Sequence, residues 1–286
     1  MTTDIIQAAT ETDVDATQLP SPRFPAATYR LQFNRQFTFA QARHWLYYLD
    51  QLGISDCYAS PYLKARPEST HGYDIADHNA LNPAIGDEGD YQAFVDALHA
   101  RGMGQVLDIV PNHMGIGESS NTWWMDVLEN GPSSLYAPYF DIDWHPLKPE
   151  LENKVLLPIL GQQYGRVLEN HELVLRYGEG AFFLDYWETA LPVNPRTYAD
   201  VLATTLPQLI DALGSEHDSV LEYQSIITGL TNLPLRTETD RSKVVERHRE
   251  KEILKRRLDT LVQGEPSVRD AIDTALALFN GTPGDP

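Results

Sequence analysis

From Ala26 onward, apolar and polar positions follow two different periods, and the switches between them mark out the elements. Residues 27–33, Ala-Thr-Tyr-Arg-Leu-Gln-Phe, alternate at every second position and are β-prone, which predicts a strand. Phe39, Ala42, Trp45, Leu46, Leu49 and Leu52 then recur at helical spacing, with Thr38 placed as an N-cap and Gly53 as a stop. Residues 54–60 predict a second strand closed by Pro61, followed by a polar loop through Pro83. Residues 90–100 read as a second amphipathic helix, with Tyr91, Phe94, Val95 and Leu98 on its apolar side and Gly102 after its end. Residues 105–110 predict a third strand, broken by Pro111. This β-α-β-α-β order, with short turns behind the helices and longer loops after the strands, implies a parallel sheet with right-handed crossovers. On pattern alone, the start of a barrel and an open α/β sheet fit equally well.

Beyond Pro111 the rhythm changes. Residues 123–130 predict a short helix. Residues 154–160, 167–169, 173–177 and 181–186 read as short strands, separated by Gly161, Asn170-His171 and Gly178-Glu179-Gly180 as turns. They make residues 141–197 a small β-rich insertion. From Tyr198 the pattern is helical, over 198–213, 217–230, 240–263 and 266–280. Residues 1–24 form a polar, acidic tail ending among Pro20, Pro22 and Pro25, and residues 281–286 a disordered stop. The expected division is therefore a tail (1–24), β/α units (25–140), the insertion (141–197) and a helical region (198–286).

Composition narrows the function classes. The chain is 42% hydrophobic, a globular mix that supports a sizeable core. Its 22 basic and 41 acidic residues leave a net charge of −19, which argues against a nucleic-acid surface and against docking on anionic lipid. Cys57 is the only cysteine, so an intrachain disulfide and a Cys-based metal cluster are both excluded, and mid-strand it reads as a small buried apolar residue. No apolar run approaches the roughly 18 residues of a membrane span. The first 22 residues lack the basic start and apolar stretch of a secretory signal, so a cytoplasmic location is expected.

Two segments carry candidate chemistry. Asp108-Ile109-Val110-Pro111-Asn112-His113 puts polar side chains at the carboxyl edge of an apolar strand, where parallel α/β folds bind ligands. Asp108 and Val110 are expected on one side of that strand and Ile109 on the other. The bland alternative is a strand end that only hydrogen-bonds the next loop. The second segment, Ser69-Thr70-His71-Gly72-Tyr73-Asp74-Ile75-Ala76-Asp77-His78, lies in the long loop after the second strand. Gly72 permits a close approach of the backbone, Tyr73 offers a flat face with a hydroxyl tip, and His71 reads as a loop brace. The His and Asp spacing matches no zinc motif. Trp123, Trp124, Trp144 and Trp187 are candidate sugar platforms, of which one or two are assigned to substrate contact and the rest to core. The eight Lys and Arg residues within 241–257 read as a solvated helix face with interleaved acids, such as Glu246 and Glu250, rather than a basic binding face.

The His71-Gly72-Tyr73-Asp74 loop followed by Asp108-Ile-Val-Pro-Asn112-His113 resembles the α-amylase superfamily of glycoside hydrolases and transglycosylases. The opening strand 27–33, Ala59-Ser-Pro-Tyr62, Ser69-Thr-His-Gly-Tyr73 and Tyr139-Phe-Asp-Ile-Asp-Trp144 resemble its maltooligosyltrehalose synthase family more closely. The resemblance runs from about Pro22 into the C-terminal helices. It implies a partial TIM (β/α)8 barrel, made of the first three β/α units, with the β-rich insertion and the helical region added. It also implies that Tyr73 stacks on the sugar at the cleavage subsite and that His113 hydrogen-bonds the same sugar, both on the carboxyl-side rim, where Asp77 is a further substrate-binding candidate. Asp108 matches a structural aspartate that steadies an arginine beside the nucleophile, and Asn112 a residue that binds calcium in many amylases. This family is not usually described as calcium-dependent, so no metal and no organic cofactor are expected.

The chain departs from the pattern in one respect. Retaining glycosyl transfer needs a carboxylate nucleophile and a carboxyl acid/base. The superfamily's Gly-x-Arg-x-Asp nucleophile motif is absent. Phe183-Leu184-Asp185 imitates it without the arginine, and no catalytic residue is assigned. Eight β/α units take about 250 residues without insertions, so the chain reads as an N-terminal piece or truncated product whose partner is the missing C-terminal part. The implied reaction is an intramolecular transglucosylation, converting the reducing-end α-1,4 bond of a maltooligosaccharide to α,α-1,1, and this chain alone is expected to be inactive. The alternatives are an α-amylase-type retaining hydrolase and a non-catalytic α-glucan-binding fragment.

Overall fold

The computed structural model describes residues 24–117 and 119–281. The predicted tail, up to residue 23, and the predicted stop, from residue 282, lie outside the described residues. The chain divides into two compact units. The first comprises residues 24–62, 70–73 and 81–110; the second comprises 63–69, 74–80 and 111 onward. This division differs from the one read along the sequence, because the long loop after the second strand contributes to both units and the second begins at Pro111.

The first unit is α/β. Strands β1 (Thr28–Leu31), β2 (Asp56–Ala59) and β5 (Gly104–Leu107) are parallel, in the order β1-β2-β5. Helix α1 (Phe39–Gln51) joins β1 to β2, and helix α2 (Glu88–His99) precedes β5. Both helices start on a reciprocal cap. Thr38 Oγ1 accepts from the Gln41 amide while Gln41 Oε1 accepts from that of Thr38, and Asp87 and Asp90 exchange the same pair of bonds. Leu31, Cys57 and Ala59 face a core closed by Phe39, Leu46, Leu49, Phe94 and Leu98, with Phe33 packed edge-on against Tyr62 and Phe94. Cys57 is fully buried there, and burial pushes its thiol up to about 11. Val106, Leu107 and Ile109, at and just beyond the end strand β5, remain exposed.

The loop expected to be irregular through Pro83 contains a strand pair, β3 (Leu63–Ala65) with β4 (Ile75–Leu81). Lys64, Arg66, Asp77, His78 and Asn79 hid it, because polar residues mask alternation.

In the second unit, α3 (Thr122–Asn130) occupies the expected short helix. The β-rich reading of 141–197 needs correction at two segments. Residues 154–160 form no strand, and residues 167–169 belong to a helix, α4 (Tyr164–Glu169). What remains is a three-stranded antiparallel meander of β6 (Leu173–Gly178), β7 (Ala181–Tyr186) and β8 (Thr189–Pro192). Helices α5 (Pro195–Ala203), α6 (Leu206–Leu213), α7 (Asp218–Asn232), α8 (Arg241–Gly264) and α9 (Pro266–Asn280) follow. The single helix predicted over 198–213 breaks at Thr204-Thr205, where Pro207 starts a new helix. Phe182, Tyr198, Leu202, Tyr223, Ile226, Leu230, Leu254, Leu258 and Ile272 form one buried core.

The basic stretch of 241–257 is a solvated face at Arg241, Lys243, Arg249 and Arg256, where Lys243 pairs with Glu246 and Arg249 with Glu250, but not along its whole length. Arg247 and Lys251 on α8 are 1% and 3% exposed. Lys251 Nζ donates to Glu129 Oε2 at 2.7 Å and to Asp126 Oδ2 at 3.3 Å, and Lys255 also pairs with Glu129. Arg247 donates to Asn130 Oδ1, Asn194 Oδ1 and the Pro234 carbonyl. Charges taken out of water persist only when their hydrogen bonds are satisfied, and here each buried cation meets acceptors from other elements.

Gly180, at the β6–β7 turn, has φ +76°, and a Cβ there would stand 2.0 Å from the Lys255 carbonyl oxygen. Gly180→Ala is therefore expected to destabilise the second unit by about 1–3 kcal/mol from overpacking alone, read as a lowered urea midpoint at an unchanged m-value.

Candidate carbohydrate site

Within the first unit the register aligns Arg30 with Tyr58 and Val106, and Asp108 follows two residues later on the same face. That face is opposite the one holding Cys57 and Ala59 against the helices. Asp108 Oδ2 accepts from Tyr58 Oη at 2.8 Å and from Tyr73 Oη at 2.5 Å. Arg30 Nη2 donates to Tyr73 Oη at 3.0 Å, and Arg30 Nη1 lies 3.9 Å from Asp108. The guanidinium also covers the rings of Tyr58 and Tyr73, at 5.1 and 5.9 Å from their centroids. The hydroxyl of Tyr73 holds the Asp108 carboxyl below the usual carboxylate range, aided by Tyr58 and Arg30. The same bond raises Tyr58, because the neutral phenol is the better donor to a carboxylate.

The loop bearing Tyr73 is braced locally. Its amide donates to His71 Nδ1 at 3.0 Å, and the Thr70 carbonyl accepts from Gln32 and Asn34. Gly72, at φ +77°, passes so close to Pro61 that a Cβ would lie 3.0 Å from its carbonyl oxygen. Arg30 and Tyr58 are the residues that reading along the chain missed. The signal was present in the alternation of strands one and two, but only register brings their two rows onto one face.

Within the second unit a cleft of about 370 Å³ is lined by His78, Pro111, Asn112, His113, Met114, Ile116, Trp123, Tyr139, Phe140 and Asp141. It collects Asn112 and His113 from the segment after β5, and adds His78 from β4 in place of its neighbour Asp77. The Asp77 carboxylate instead accepts from the Asn79 amide at 2.9 Å. Trp123 stacks on Tyr136 at 5.2 Å and 13°, and Tyr139 lies 5.4 Å from Trp123 with 69% of its surface exposed. Among the described residues lining the cleft, Asp141 is the one carboxylate. Of the other tryptophans, Trp124 is buried against Phe140, Trp144 lines a separate groove, and Trp187 is exposed beside Glu172. Asp185, the imitation nucleophile, lies on β7 in a two-pronged ion pair with Arg176, at 2.6 and 3.3 Å. Imidazoles beside flat aromatic faces suit a neutral, hydroxyl-rich ring: nitrogens bond hydroxyls and rings cover its C–H face.

Residues 43–172 match the catalytic domain of the alpha-amylase family. A putative maltooligosyl trehalose synthase of Mycobacterium tuberculosis is 45% identical over 146 residues, which is 48% of this chain and 18% of that protein. An intracellular maltogenic amylase of Bacillus subtilis is 38% identical over 100 residues, covering 35% of this chain and 16% of the amylase. The solved maltooligosyltrehalose synthase from Arthrobacter ramosus superposes with a TM-score of 0.52 at 40% identity, covering 59% of this chain and 21% of that one. A second maltooligosyl trehalose synthase crystal structure gives 0.54 at 40% identity, covering 59% and 22%. This chain thus spans about a fifth of the length of the synthases it matches. The resemblance read from the motifs holds over the aligned region, and the fold there is a partial, TIM-barrel-like α/β arrangement.

The Asp108 cluster makes a pH prediction. The folded carboxyl is depressed, so its contribution to stability is full above the ordinary carboxylate range and is lost as pH falls through the folded value. Carbonyl NMR of Asp108 should show titration below the usual range, and Tyr73→Phe should move it upward. A titration unchanged by Tyr73→Phe would contradict the assigned cause.

Proposed function

We propose that this chain is the glucan-binding part of a maltooligosyltrehalose synthase, with its three parallel strands serving as the first three β/α units of the barrel. The observation that carries the reading is the cleft in which His113 stands with Trp123 and Tyr139, within residues 43–172, the stretch that matches the alpha-amylase catalytic domain. The parent reaction cleaves the reducing-end α-1,4 bond by attack at C1 of the penultimate residue, so that the rest of the glucan is held as a glycosyl-enzyme intermediate and the reducing-end glucose leaves. The freed glucose turns and is rejoined as an α,α-1,1 unit. The step is retaining and consumes no water, which makes the overall change an isomerisation.

This chain's share of the work is binding and orientation. His113 bonds sugar hydroxyls, and Tyr139 and Trp123 cover the ring's apolar face. In the first unit, Tyr73 offers its ring to sugar. Asp108 supports Tyr73 and Arg30 rather than attacking C1, because its Oδ2 already accepts two phenols. Asp77 is a further sugar contact, and Asn112 steadies the loop that carries His113. Retaining transfer needs two carboxylates roughly 5–5.5 Å apart, and among the described residues lining the cleft Asp141 is the single carboxylate. The chain by itself therefore binds glucan without turnover. The hydrolase reading ranks second, since the maltogenic amylase match is shorter and less identical than the synthase match.

Calorimetric titration with maltopentaose should show binding, weakened about tenfold by Tyr139→Ala, the scale of one lost stacking contact. His113→Ala should weaken it similarly. Absence of binding by the folded chain would overturn the reading.

In the same assay, reducing ends and free glucose should stay constant over hours. Turnover abolished by Asp185→Asn would identify a nucleophile where an ion pair has been assigned.

A further inference from the structure

The buried charges on α8 connect to the aromatic wall of the cleft through a short chain of bonds. Lys251 Nζ donates to Asp126 Oδ2 at 3.3 Å. The other oxygen of that carboxylate, Oδ1, accepts from Ser134 Oγ at 2.5 Å. Ser134 Oγ in turn accepts from the amide of Tyr136 at 3.0 Å. The Tyr136 ring lies nearly parallel to Trp123, and Trp123 lines the cleft with Tyr139. Asp126 and Trp123 sit on the same short helix, α3, whose inner side is held by Glu129 on Lys251 and by Asn130 on Arg247.

We infer that Lys251, acting through Asp126 and Ser134, is a positioning residue that sets the angle of the Trp123–Tyr136 stack and so the width of the sugar platform. The inference rests on the glucan-binding reading for its consequence, though not for its geometry. A stack is orientation-sensitive, and α3 alone fixes only the Trp123 side of it. The Tyr136 side lies in the turn after α3, where the Ser134 hydroxyl ties the backbone to the same carboxylate that α8 holds. A buried cation has one well-defined place among its acceptors, so it supplies a fixed point that a solvated lysine would not. Lys251, Asp126 and Ser134 are not among the residues lining the cleft, and their effect passes through ring geometry.

The test uses the whole chain with two substitutions. Ser134→Ala cuts the tie while leaving Lys251 and its carboxylate acceptors in the chain. Lys251→Arg keeps the charge and relocates it. The indole N–H resonance of Trp123, assigned with Trp123→Phe, reports the ring current of Tyr136, and maltopentaose titration reports the platform. Both variants should shift the Trp123 resonance, and both should weaken maltopentaose about fivefold, the scale of a disturbed stacking contact. A Trp123 resonance unmoved in both variants overturns the inference even if the parent binds glucan. A resonance that moves while the parent chain binds no maltopentaose upholds the positioning role and overturns the glucan reading instead. Weakened binding with an unmoved resonance also counts against the inference, since the loss would then not pass through the stack.

Discussion

The larger unit depends on where the ammonium group of Lys251 is placed. It is buried, and it is tolerated because Glu129, Asp126 and Glu252 supply acceptors from two helices. Leaving such a cation unmatched costs several kcal/mol, so the acceptors must arrive with the lysine or the packing fails. That requirement locks α3 against α8. Arg247 extends the same constraint to Asn130, to the cap residue Asn194 of α5 and to the Pro234 carbonyl after α7. Apolar packing through Leu254, Leu258 and Tyr223 supplies bulk burial, but it is non-directional. The polar contacts choose which turn of α3 faces α8, and through that choice which side Trp123 presents to the cleft.

A comparable logic operates in the smaller unit on another scale. Parallel pairing puts Arg30, Tyr58 and Asp108 in one layer, while Leu31, Cys57 and Ala59 pack beneath the helices. The carboxylate is charged and only partly buried, and its bonds are phenolic. Such a group orients its neighbours: it holds Tyr73 by the hydroxyl and leaves the ring edge and faces to other partners. Arg30 adds a cation above both rings without closing a tight ion pair, since its nearest nitrogen is 3.9 Å from the carboxylate. The outcome is a preorganised polar layer at a strand's carboxyl end, the position where parallel α/β folds gather their ligands.

The local period made the βα alternation legible, because a helix that packs on a sheet must repeat every 3.6 residues and a half-buried strand every two. The Thr38 cap was legible for a similar reason, since with Gln41 it satisfies end amides using neighbours three residues apart, whereas Asp87, which caps the second helix ahead of its predicted start, was not singled out. Asp108, Asn112 and His113 could be singled out because polar residues at the end of an apolar strand stand out against their surroundings, and Tyr73 because it follows Gly72 in a loop rich in His and Asp. The β3–β4 pair was not legible, since its residues are too polar to alternate and its partner is chosen across a nine-residue gap. Residues 154–160 erred the other way: an apolar run predicts a buried strand, yet none of the seven is buried and Leu156 is exposed, so among the described residues the run meets no packing partner to pair with.

What the sequence by itself determined is the set of locally encoded things: the parallel β/α order, the helix starts, the family motifs and the residues offered for sugar binding. Only the tertiary structure decided that Lys251 and Arg247 are interior, that Arg30 and Tyr58 share a layer with Asp108, and that His78, Trp123 and Tyr139 stand with His113 around one cleft. The reason is range. Periodicity and capping act within a few residues, whereas the charge pairs on α8 join positions more than a hundred residues apart. A charged residue on a helix carries no mark of whether its counter-charge comes from solvent, from its own helix or from a distant one.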